Sequence, residues 1–150
     1  MENAVYSALA LGAGYAAVGL AAVGSAVGAG IAGQAAVGAW KKCYAQGKAA
    51  PFLLLAMVGA PLSQTIYGML IMLFIKGKAL AAPECFATYM AVGLLGGAAQ
   101  MVSAIYQGKA AAGSCVAFAE TNQGFANYLI VLGVIETCAI FALVFSLMVL

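Results

Sequence analysis

Glu136 is a carboxylate where a carboxylate is expensive. It sits near the middle of GFANYLIVLGVIETCAIFALVFSLMVL, residues 124–150, a stretch with no other charge. At about 1.5 Å rise per residue this stretch makes a helix of roughly 40 Å, longer than a hydrocarbon core of about 30 Å. An acid at the centre of such a helix costs about 2.5–3.5 kcal/mol on insertion scales, so it is expected to face protein or a water-filled cavity and to have partners there. Partners can be found by depth. Gln64 follows Pro51 by 13 residues and Glu136 follows Gly124 by 12, and both spans start from the same side. Gln107, on a span running the other way, precedes Phe118 by 11. Each of these depths is roughly 17–20 Å, so the three side chains share a level. Ser63 adjoins Gln64, and Tyr67 lies one helical turn from both.

A carboxylate, two amide oxygens, a hydroxyl and a backbone carbonyl freed near Pro61 give five oxygen donors with a single negative charge. That set suits a hard monovalent cation better than a soft transition metal. Tyr67 is better placed to donate its O–H to Glu136 than to bind the ion. A bare proton site needs only the acid and a dry pocket, so the two glutamines favour Na⁺ over H⁺ alone. Against this stands a purely structural reading, because a single glutamine inside a membrane more often makes an interhelical hydrogen bond worth about 0.6 kcal/mol. Gln34 and Gln100 are assigned to that structural class.

The elements that must position these groups follow from composition. Of 150 residues 66% are hydrophobic and 7% charged, which excludes an ordinary soluble domain. The uncharged runs 3–40, 49–75 and 85–108, together with the stretch around Glu136, give four spans and an all-α membrane protein. The chain is expected to divide into a first hairpin, 1–76, with spans at about 4–40 and 51–75, and a second, 77–150, with spans at about 84–118 and 124–150. The hairpins are duplicates: GQAAVGA (33–39) lies over GKAAAGS (108–114), and VGAPLS (58–63) over LGVIET (132–137), setting Glu136 opposite Leu62. Ala16, Gly24, Gly28, Ala32 and Ala36 form a stripe of small residues suited to close helix packing. Pro61 is expected to kink the second span, and KGKALAAP (76–83) to form the loop after it. Lys109 is expected to snorkel to the cytoplasmic face. Lys41, Lys42, Lys48 and Lys109 outnumber Lys76 and Lys78, which puts both termini outside.

Other classes of function find no support. The four cysteines have no CxxC spacing and no His to join them, so a zinc or iron site is not expected. There is no dense basic cluster for nucleic acid, no GxxxxGK[ST] loop and no nucleophile constellation, so the chain is read as having no catalytic site and no organic cofactor. No secretory signal is read at MENAVYSALALG.

PLSQTIYG (61–68), IYQGKAAAG (105–113) and GVIETCAIFALVFSLMVL (133–150) resemble the proteolipid subunit, K or c, of rotary V-type and A-type ATPases in its two-hairpin form. The resemblance extends over essentially the whole chain and is strongest to the sodium-binding bacterial type. It implies an ion held by the Ala60 carbonyl, Ser63, Gln64, Gln107 and Glu136, with Tyr67 bonded to the acid. It further implies a homo-oligomeric rotor ring in a bacterial plasma membrane, with a lipid-filled bore. The loops 41–50 and 115–123 would dock on central stalk subunits, and a stator subunit, a or I, would present an Arg to Glu136. A proton-translocating ring is the alternative within this family. Outside it stand a small four-helix secondary transporter, which would want aromatic residues around a cavity, and a purely structural tetraspan protein.

Overall fold

In the computed structural model, which describes residues 2–150, the chain forms four helices, each long and apolar enough to cross a membrane. They are α1 (Glu2–Ala45), α2 (Leu54–Ala81), α3 (Pro83–Thr121) and α4 (Phe125–Val149). The described residues contain no strand. The helices outrun the predicted spans because no residue stops them where the charges begin. α1 continues through Lys41 and Lys42 to a turn at Gly47, where φ is +65°. α2 carries Lys76 and Lys78 within the helix, where the sequence placed a loop, since Lys and Ala are good helix formers. It ends at Ala82 (φ −139°, ψ 68°), the residue that Pro83 forces out of the helical region. α3 runs past Phe118 to Thr121, and the turn is completed by Asn122 (φ 52°) and Gly124 (φ 79°). Lys109 therefore lies well inside α3, its ammonium 4.8 Å from the Tyr106 ring centroid.

α1 and α3 pack as parallel neighbours at backbone contact. A Cβ on Gly24 would collide with the backbone of Met101, and one on Gly28 with that of Ala104. A Cβ on Gly93 would strike Ala13, one on Gly97 Ala17, and one on Gly108 the backbone of Gly28. The stripe of small residues is slightly different from that expected. Ala17 is fully buried and Ala16 only half-buried, because steps of four residues turn about 400° and drift off one face. Ala10, Ala21, Ala32 and Cys43 recur every 11 residues, as do Tyr89, Gln100 and Ala111 on α3. Such a period of about 3.67 residues per turn suits right-handed crossing.

α2 lies against this pair, antiparallel to α1, with Gly68 on Ala17 and Ala21. Pro61 lacks an N–H, and the helix tightens to a 3₁₀ turn over Ala60–Leu62. Trp40 Nε1 donates to the Pro51 carbonyl at 2.8 Å and clips the start of α2 to α1. Outside the expected spans 4–40 and 84–118, the ends of α1 and α3 are tied by Lys42 Nζ to Glu120 Oε1 at 2.6 Å.

Candidate ion-binding site

α4 is held against α3 by three side chains that reach its backbone. Gln100 Nε2 donates to Ala139 O (2.9 Å), Ser103 Oγ to Ile135 O (3.3 Å) and Gln107 Nε2 to Leu132 O (3.0 Å). A helix carbonyl has two lone pairs, so each can take this second donor without losing its helical bond. Three ties spaced one turn apart fix the rotation of α4, and with it the direction in which Glu136 points.

Glu136 is half-buried, facing α2 and α3. The Tyr67 hydroxyl donates to Oε1 at 2.7 Å, and Gln107 Nε2 approaches Oε2 at 3.4 Å. Behind it Gln64 and Gln107, both fully buried, are joined by Gln64 Nε2 donating to Gln107 Oε1 at 2.8 Å. The 3₁₀ turn makes the third part of the site. It leaves the Ala60 carbonyl accepting from Ser63 Oγ (3.2 Å), which also lies 3.3 Å from Gln64 Oε1. All six residues named from the sequence thus belong to one hydrogen-bonded cluster, drawn from α2, α3 and α4 within one chain.

Two features were not foreseen. Ser103, buried one turn before Gln107, accepts from Gln64 Nε2 at 3.5 Å and holds that amide with its oxygen turned toward Ser63. Its signal in the sequence is the four-residue spacing from Gln107 on a buried face. The second feature is the orientation of Gln107, whose N–H side faces Glu136 while its carbonyl oxygen accepts from Gln64. That oxygen keeps one lone pair for a further partner. The cluster can thus present a carboxylate, a hydroxyl, a peptide carbonyl and amide oxygens to one small cation, or hold a protonated carboxyl in place. Gln34 is exposed and takes no part, and Gln100 serves as an interhelical bond.

Residues 90–149 match the family model for the C-subunit of ATP synthase. The match covers most of α3 and all of α4, and so includes Gln107 and Glu136, while Ala60, Ser63, Gln64 and Tyr67 lie in the first hairpin outside it. The four helices able to span a membrane support an integral membrane protein, and the match, over 60 of the chain's 150 residues, supports a likeness of its second hairpin to the c or proteolipid rotor subunits. No curated protein matches the chain.

Proposed function

We propose that the chain is the rotor-ring subunit of a V/A-type rotary ATPase and that it carries Na⁺ at Glu136. The observation behind this reading is the set of neutral oxygens gathered beside one carboxylate, with Tyr67 and Gln107 fixing that carboxylate at mid-helix. A charged Glu136 facing lipid is costly. Na⁺ bound by Glu136, Gln64, Gln107, Ser63 and the Ala60 carbonyl neutralises it and lets the site turn through the bilayer. At the stator a half-channel opens the site, and an arginine of the stator subunit favours release. Copies form a ring whose lysine-bearing ends, around 41–50 and 115–123, meet stalk subunits in the cytoplasm, with both termini on the other side. Nucleotide chemistry belongs to those partners, and the motor runs in hydrolysis or synthesis on the same ion path.

A proton ring is the second reading, favoured by one contact: an N–H of Gln107, not its oxygen, faces Glu136. Carbodiimide labelling separates the two, because the reagent modifies the protonated acid. In the purified protein, Na⁺ at fixed pH is expected to slow labelling of Glu136 while K⁺ does not. Labelling that responds to pH and ignores Na⁺ would replace the sodium reading with the proton one.

A further inference from the structure

α1 gives no side chain to the cluster around Glu136, yet it buries a serine, Ser25, 2% exposed. Among the described residues two buried side-chain polar atoms have no hydrogen-bond partner, Ser25 Oγ on α1 and Gln100 Oε1 on α3. The first carries a proton to donate and the second can only accept. Leaving either unpaired is costly where no water enters, and protein interiors pair nearly all such groups. The two residues are also counterparts in the internal repeat, in which α1 and α3 correspond at a separation of 75 residues (33 and 108).

Packing makes them neighbours. Gly24 and Met101 meet backbone to backbone; Ser25 follows the one and Gln100 precedes the other, about 3 Å apart along the parallel axes. Both turn to the side of the α1–α3 seam that α2 covers. Ser25 lies four residues after Ala21 and three before Gly28, which meet Gly68 and Pro61 of α2. Gln100 lies four after Gly96 and three before Ser103, which meet Ile71 and Gln64 of α2. Gln64 also faces Ser25 across the α1–α2 contact, but its amide is committed, Nε2 to Ser103 and Gln107 and Oε1 to Ser63.

We propose that the Ser25 hydroxyl donates to Gln100 Oε1 and that Ser25 is thereby a positioning residue for Glu136. Torsions of the two side chains join the atoms without moving either helix. Gln100 Nε2 already donates at 2.9 Å to the carbonyl of Ala139, three residues beyond Glu136 on α4. With Ser25 bonded, the amide is held at both ends: α1 takes its oxygen, α4 takes its N–H, and it cannot flip. The tie at Gln100 is one of the three that set the rotation of α4, so its stiffness is passed to the carboxylate that meets Tyr67. Without the hydroxyl Gln100 swings more freely and Glu136 is held less firmly among its ligands. The effect on Na⁺ rests on the ion-binding reading, whereas the bond itself does not.

A double-mutant cycle on the full chain in mild detergent tests both parts. Ser25→Ala removes one oxygen and nearly preserves volume, and Gln100→Met replaces the amide by an apolar chain of similar length. Melting is followed by circular dichroism without Na⁺, and Na⁺ protection of Glu136 from carbodiimide is titrated on the same four proteins. Ser25→Ala should lower the melting temperature of the otherwise unaltered chain. In the Gln100→Met background it should leave it unchanged or raise it, because the hydroxyl there is an unpaired buried group. The Na⁺ concentration giving half-protection should rise about threefold in Ser25→Ala and no further when Gln100→Met is added, the size of one interhelical bond in a membrane. An equal drop in melting temperature in both backgrounds gives the hydroxyl a different acceptor and overturns the pairing. A melting temperature that is unchanged or higher for Ser25→Ala alone also overturns it, and decides the matter should Gln100→Met fail to assemble. Coupled melting with unaltered half-protection overturns the positioning role. If Na⁺ protects none of the proteins, the sodium reading fails, and the melting cycle still decides the pairing.

Discussion

The two hairpins are the same design put to two uses. In the second, Gln100, Ser103 and Gln107 on α3 reach the α4 backbone, and α4 runs unbroken through Glu136. In the first, the corresponding α1 positions are Ser25, Gly28 and Ala32, and no side chain of this set bonds to α2. There α2 tightens to a 3₁₀ turn at Pro61, and the acid's position is held by Leu62. Each half lacks what the other has. The half with the 3₁₀ turn contributes Ala60, Ser63, Gln64 and Tyr67, the other contributes Gln107 and Glu136, and the site forms only where they meet. One polar cluster is complete where two matched hairpins would have room for two. The positions that correspond in the sequence match, Thr137, Cys138 and Phe141 for Ser63, Gln64 and Tyr67, and Leu62 and Ala32 for Glu136 and Gln107, carry no carboxylate.

The sharpest way to break this comparison is to exchange its key position. Glu136→Gln is expected to abolish ion transport in reconstituted vesicles while the oligomer persists on a native gel. Leu62→Gln, at the mirrored position, should leave transport in place, and equal loss from both would mean that the halves are not functionally distinct.

Packing gives the next largest contrast. Gly24→Ala puts a Cβ into the Met101 backbone and should cost about 1–3 kcal/mol, read as a lower melting temperature by circular dichroism in detergent. Ala99, its repeat partner, already carries that methyl, and Ala99→Gly should cost no more than about 1 kcal/mol, mostly through helix propensity.

Within the polar cluster, Gln107→Ala removes the shorter of the two hydrogen bonds that Gln64 Nε2 donates and a contact to Glu136. Leaving a buried partner unsatisfied costs about 1–3 kcal/mol, so Na⁺ affinity should fall roughly tenfold or more by calorimetry. Ser103→Ala removes the acceptor that orients Gln64 and one of the three ties to α4, and should weaken Na⁺ by a few-fold, near the 0.6 kcal/mol or so typical of each interhelical bond in membranes. Unchanged affinity in both would return these residues to packing.

The smallest effect concerns the ion pair joining the two halves at the loop ends. The hydrogen bond and charge of Lys42 hold the Glu120 carboxyl below its ordinary range, and Glu120 holds the Lys42 ammonium above its own. Any stability from the pair is present between those limits. It is lost as pH falls through the lowered Glu120 value and again as pH rises through the raised Lys42 value. Both side chains are about half exposed, so Glu120→Gln should leave the neutral-pH melting temperature unchanged within error.

Much of this was legible in the chain itself. Runs of apolar residues longer than a bilayer needs dictate helices, because inside lipid every backbone group must be satisfied within its own segment. Counting residues from the span ends put Glu136, Gln64 and Gln107 at one depth, because an α-helix has a constant rise. The repeat was visible as GQAAVGA over GKAAAGS. Element ends are less legible, since the sequence reads Lys76 and Lys78 as loop although both are helical. Charge marks a preference for water, whereas helices end where the backbone is forced, at Ala82 before Pro83 and at Asn122.

What only the tertiary structure decided is rotation and contact. The sequence gives depth along a helix to within a turn, but which face α4 turns inward depends on Gln100, Ser103 and Gln107 finding carbonyls on another helix. Whether Gly24 and Gly28 meet α3 at backbone distance depends on the crossing of two helices, a property of neither alone. For the same reason Ser103 could be counted in the sequence but not recognised: its role exists only once Gln64 has been brought to it.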